Sequence, residues 1–109
     1  MRKVVFLGTS SAVPQPGKRN TSAIAVLMAS GASVLLDCGE ATQHQIMRSA
    51  SVKMNRIDAI LLTHMHGDHC FGVFGLLCTM ATQGRTKPVI IVGPKGVKEL
   101  IDTVLRLAG

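Results

Sequence analysis

Short apolar runs separated by glycine, proline and serine turns run along most of this chain. Residues 3–7, Lys-Val-Val-Phe-Leu, are closed by Gly8-Thr9-Ser10-Ser11 and predict a buried strand and a turn. Residues 11–20 hold Pro14, Pro16, Gly17 and the basic pair Lys18-Arg19, which predicts an exposed loop. Two aliphatic, β-branched runs, 22–28 and 33–36, flank Ser30-Gly31 and predict a hairpin that ends at Asp37-Cys38-Gly39. From Glu40 to about Met54 the chain is polar with apolar residues at Ala41, Ile46, Met47 and Ala50, the pattern of an amphipathic helix. Residues 57–62 predict another buried strand, and 70–82 are apolar nearly all round, which predicts a buried helix. Residues 89–92 read as a last strand, closed by Gly93-Pro94. Val97, Leu100, Ile101, Val104, Leu105 and Ala108 then fall on one helical stripe. Strands interleaved with helices imply an α/β fold.

Composition narrows this picture. A chain of 109 residues has room for one domain, and 47% apolar residues exclude wholesale disorder. With three Phe and no Trp or Tyr, a platform of stacked aromatics for single-stranded nucleic acid is excluded. Twelve Lys and Arg against six Asp and Glu give +6, which suits a polyanion such as RNA and equally a merely solvated basic surface. Cys38, Cys70 and Cys78 have no metal-ligand or disulfide spacing and read as buried thiols of a reducing compartment. The apolar run 4–7 is stopped by Gly8, too soon for a signal peptide, and no run reaches membrane-spanning length. The expectation is a soluble, intracellular and cytoplasmic protein without membrane contact.

The chemistry lies in residues 64–69, where His64, His66, Asp68 and His69 stand within six positions. His64 and His66 are an i, i+2 pair at a strand end, so in extended backbone their rings point the same way. Gly67 permits a sharp turn, after which Asp68 and His69 open the next helix, whose N-terminus favours an ionised carboxylate. Imidazole nitrogen with carboxylate oxygen suits Zn²⁺ and neighbouring metals. The spacing fits two ions, one on His64 and His66, the other on Asp68 and His69. Two ions about 3.5–4 Å apart acidify a shared water and stabilise both oxygens of a phosphoryl displacement, so hydrolysis is the expected reaction class. Asp68, beside that water, is the candidate proton acceptor and catalytic residue. His44, alone on the first helix, reads as an ordinary surface or core histidine.

His-x-His-x-Asp-His resembles the signature of the metallo-β-lactamase superfamily. Phe6-Leu7-Gly8-Thr9, Arg19-Asn20-Thr21-Ser22, the stretch from Asp37-Cys38-Gly39-Glu40 to Gln45, Thr63-His64-Met65-His66-Gly67-Asp68-His69 and Gly93-Pro94-Lys95-Gly96 are similar, more narrowly, to the ribonuclease Z family. The resemblance implies that residues 1–109 are the N-terminal half of a single αβ/βα sandwich domain. It implies a zinc-dependent endoribonuclease that removes the 3′ trailer from precursor tRNA, with two zinc ions per complete subunit and a homodimeric assembly. His64, His66, Asp68 and His69 would be metal ligands, and Asp37 would support them from behind. Lys18, Arg19 and Asn20 correspond to a family loop that meets the RNA, here with altered spacing. The family's Leu-Pro is replaced by Val73-Phe74. The remaining ligands and the tRNA-gripping arm belong to the family's other half. Two further readings stand beside this one: another hydrolase of the same fold, phosphodiesterase or arylsulfatase-like, and an inactive truncated fragment.

Overall fold

The computed structural model describes residues 3–10 and 21–109. The loop expected at 11–20 lies outside these residues. Five strands form one mixed sheet in sequence order: β1 (Lys3–Gly8), β2 (Ala23–Leu27), β3 (Ser33–Leu36), β4 (Ile57–Leu61) and β5 (Ile90–Val92). The first three are antiparallel neighbours, and β3, β4 and β5 run parallel. The β2–β3 hairpin turns through Gly31 at φ 92, a left-handed conformation that glycine adopts without a Cβ clash. Each parallel crossover carries helix. α1 (Thr42–Arg48) links β3 to β4; α2 (Gly67–Cys70) and α3 (Gly72–Thr82) link β4 to β5; α4 (Val97–Ala108) follows.

The register divides the sheet into two unlike faces. Val5, Ala25, Leu35, Ile60 and Ile91 lie in one cross-strand row. Ala25, Leu35 and Ile60 in that row are fully buried, in one core with Ile46 of α1 and Val73, Leu76 and Met80 of α3. Val97, Leu100 and Ile101 of α4 pack partly against the same core. The opposite face carries two rows, Phe6–Ile24–Leu36–Leu61–Val92 and Val4–Val26–Val34–Ala59–Ile90. All ten residues are apolar and none is buried. In β4, Ser33 pairs with Ile57 and Val34 with Ala59, so Asp58 is an extra, bulged residue. Its carboxylate turns out to Lys87, 3.7 Å away.

Several expectations change accordingly. β1 and β4 are not fully buried strands: Val4 and Phe6, and Ala59 and Leu61, belong to the open face. The helix expected from Glu40 to Met54 stops at Arg48. Ser49 is extended there, and its hydroxyl accepts the backbone N–H groups of Ser51 and Val52, competing with the helical bonds. A 3-10 turn at Met54–Arg56 then leads into β4. α3 is buried on one side only. Phe71 and Cys78 face outward, so Cys78 is not the buried thiol its apolar neighbours suggest. The α4 stripe is anchored at its N-terminal end, while Leu105 and Ala108 are exposed. Among the described residues no helix is long and apolar enough to cross a membrane.

Candidate metal centre

Parallel strands β3 and β4 end side by side, and the residues just past their C-terminal ends build the site, where open α/β sheets place ligands. Past β3, Asp37 adopts φ 64, a left-handed conformation uncommon outside glycine, though Asp tolerates it better than most. The turn is held by backbone bonds. Asp37 N–H donates to Leu61 O at 2.8 Å, Cys38 N–H to His69 O at 2.7 Å, and Gly72 N–H to Cys38 O at 2.9 Å. Gly39 and Gly72 are needed at this crossing: a Cβ on Gly72 would strike the Gly39 carbonyl, and one on Gly39 would strike the Thr21 side chain and the Asp68 carbonyl.

The result drives one carboxylate under the ends of β4 and α2. Asp37, only 6% exposed, accepts the Thr63 backbone N–H on Oδ1 at 2.8 Å. The Thr63 hydroxyl sits 3.0 and 2.9 Å from its two oxygens, and His69 Nδ1 lies 2.8 Å from Oδ2. A carboxylate only accepts, so His69 carries a proton on Nδ1, and in the neutral ring the lone pair is left on Nε2. That nitrogen is 3.5 Å from Asp68 Oδ2. Carboxylates that orient histidines in this way are usual behind metal ligands.

His64, Asp68 and His69 each offer a donor atom, and these atoms lie within 4.8 Å of one another. The His64 and His69 ring centres are 3.9 Å apart. Two imidazoles and one carboxylate are the three protein ligands that a catalytic zinc typically takes, leaving one position open. The donor set therefore fits the metal that the sequence implies. His66 caps α2, is exposed, and stands edge-on to His64 with ring centres 4.8 Å apart, outside this three-residue cluster. His44 is exposed on α1. Lys18, Arg19 and Asn20 lie outside the described residues.

The neighbouring thiols are held neutral. Burial pushes Cys38 up to about 12, with Cys70 and Asp37 adding to it and the Thr42 hydrogen bond opposing. Cys70 is raised as well, first by burial and then by the negative charges of Asp37 and Asp68. Neither is a thiolate ligand at neutral pH. The participant that the pattern of the sequence left without a role is Thr63. Its sequence signals are a hydroxyl placed between an apolar strand run and the histidines, and its place at the head of the stretch that carries the family resemblance.

A family model described as Anti-Pycsar protein Apyc1 matches residues 2–108. A ribonuclease Z of Listeria welshimeri is 49% identical over 109 residues, covering 98% of this chain and 35% of the relative. Human tRNase Z, short form, superposes with a TM-score of 0.88 at 45% identity, over 96% of this chain and 39% of that one. A metallo-β-lactamase fold protein of Bacillus subtilis superposes at 0.73 with 22% identity, over 93% of this chain and 41% of its own, which speaks to the fold alone. The chain thus spans about a third of the length of the curated relatives it matches. Its fold is that of the metallo-β-lactamase proteins, its curated relatives are ribonucleases Z, and by the model that spans it the chain belongs to the family described as Anti-Pycsar protein Apyc1.

Proposed function

We propose that this chain carries the metal-binding part of a zinc-dependent endoribonuclease that removes the 3′ trailer from precursor tRNA. The observation that supports this most is the convergence of His64, Asp68 and His69 over Asp37, in a chain whose relatives at 49% identity are ribonucleases Z. His64, Asp68 and His69 would hold a first zinc, and His66 extends the donor set towards a second. Zinc held there supplies Lewis-acid polarisation of the scissile phosphate and an acidified water. Asp37 holds the His69 ring so that Nε2 faces the site. Asp68, partly exposed at its edge, accepts the proton of the attacking water. Lys18, Arg19 and Asn20 bind RNA phosphates, in keeping with the +6 charge. The working assembly is a cytoplasmic homodimer with two zinc ions per complete subunit.

Asp68→Ala in the protein that carries this sequence is expected to abolish precursor-tRNA cleavage while leaving tRNA binding in place, because affinity rests mainly on phosphate contacts. His64→Ala or His66→Ala is expected to remove at least one zinc by elemental analysis. Wild-type cleavage in the first variant, or unchanged zinc in both histidine variants, would sink this reading. A second reading, a phosphodiesterase of the same fold, stands beside this one because the family model over residues 2–108 is described as Anti-Pycsar protein Apyc1 and not as ribonuclease Z. It predicts hydrolysis of small phosphodiesters with precursor tRNA left whole.

A further inference from the structure

Thr63 is in contact with both halves of the site and is itself no metal ligand. Its Oγ1 lies 2.9 Å from Asp37 Oδ2, 3.0 Å from Asp37 Oδ1 and 3.0 Å from His64 Nδ1. A hydroxyl has one proton to give. If that proton went to His64, a lone pair of Thr63 would face both oxygens of a carboxylate that is almost wholly buried. The proton therefore goes to Asp37, and Thr63 presents only lone pairs to His64. His64 Nδ1 must then carry a proton and donate it, which in the neutral ring leaves the lone pair on Nε2.

We propose that Thr63 is a positioning residue that fixes the tautomer of His64: Asp37 sets His69 directly and His64 through the Thr63 hydroxyl. One carboxylate thus aims two imidazoles from different elements, His64 from the loop after β4 and His69 from α2, at one point. The side-chain bonds to Asp37 are reinforced by the Thr63 backbone N–H, which anchors the hydroxyl on the same carboxylate. The ring of His64 cannot turn over without losing its partner. The inference rests on the reading of His64 and His69 as ligands and is independent of the substrate.

Thr63→Val keeps the branched shape and removes the hydroxyl; Thr63→Ser keeps the hydroxyl. Long-range proton–nitrogen correlation spectra of the metal-stripped, nitrogen-15-labelled chain, with neutral imidazoles, report the protonated nitrogen of each ring. The expected result is His64 protonated on Nδ1 in the wild type and in T63S, a shift towards the Nε2–H form in T63V, and His69 unchanged in all three. Titrated with zinc alone, T63V is expected to lose about 10–100-fold in affinity, the usual cost of removing a partner of a metal-bound histidine, and T63S only about threefold. A wild-type His64 protonated on Nε2, or a T63V chain that keeps the Nδ1–H form, overturns the proposal. The wild-type spectrum needs no variant, so a T63V chain that misfolds leaves that decision standing. Because no RNA is present, the outcome is separate from whether precursor tRNA is cleaved.

Discussion

The two faces of the sheet are built from the same kinds of residue and have opposite surroundings. Leu35 and Ile60 on one face have no exposure at all, whereas Phe6 and Ile90 on the other are more than half exposed. Hydropathy cannot separate these positions; the difference comes from which face the crossovers α1 and α3 cover. Right-handed crossovers between parallel neighbours put helices on the same side, so β3–α1–β4 and β4–α3–β5 cover one face together. The other is left as ten contiguous apolar side chains. At strand and side-chain spacings of about 4.8 and 6.8 Å they span roughly 330 Å², the scale of the largest apolar patches on ordinary monomers.

The sharpest way to break this contrast is to truncate one side chain on each face. Ile60→Ala removes a fully buried side chain and is expected to cost about 2–5 kcal/mol in denaturant unfolding. Val34→Ala, on the open face, is expected to cost no more than about 1 kcal/mol. Equal losses would mean that the open face is covered in solution. The next test is association. The isolated chain is expected to sediment as concentration-dependent oligomers and to leave precursor tRNA uncut, and lysine at both Phe6 and Ile90 to restore a monomer. A monodisperse, active wild-type chain would overturn both expectations.

The last test is one of pH. The folded Cys38 thiol is raised from 9.0 to about 12, so it holds its proton where the unfolded chain has released it. Its stabilising contribution is complete below about pH 9 and falls as pH rises from there towards 12, at most about 1.4 kcal/mol per pH unit. Cys38→Ala is expected to flatten the alkaline side of a stability–pH profile relative to the wild type. An identical slope in both would show that the thiol is not shielded on the helix-covered side.

Much of this was legible along the chain. The five strands are apolar runs bounded by strong turn residues, and the histidine cluster is a local pattern that needs no partner to be seen. Most of what escaped depends on residues distant in sequence. Whether Val4 or Val5 packs against the core depends on helices contributed from position 42 onward. The end of α1 is decided by the Ser49 hydroxyl taking two backbone donors, a local competition that apolar periodicity does not register. α3 is apolar on all sides, yet Cys78 and Phe71 are exposed because only one side of that helix meets the sheet. Thr63 gains its role from an aspartate 26 positions earlier, and only the β3–β4 pairing brings the two together.

That pairing also bears on when the centre can form. The donors and the groups that aim them all lie between Asp37 and His69, and the longest bond among them spans 32 positions. Loop-closure entropy rises only slowly with length, so closing these 32 positions costs little more than closing half as many. As the chain leaves the ribosome, a β3–α1–β4–α2 segment has everything that orients His64 and His69. A metal ion held by these side chains would then favour the paired state of β3 and β4 over the unfolded chain before β5 and α4 are in place.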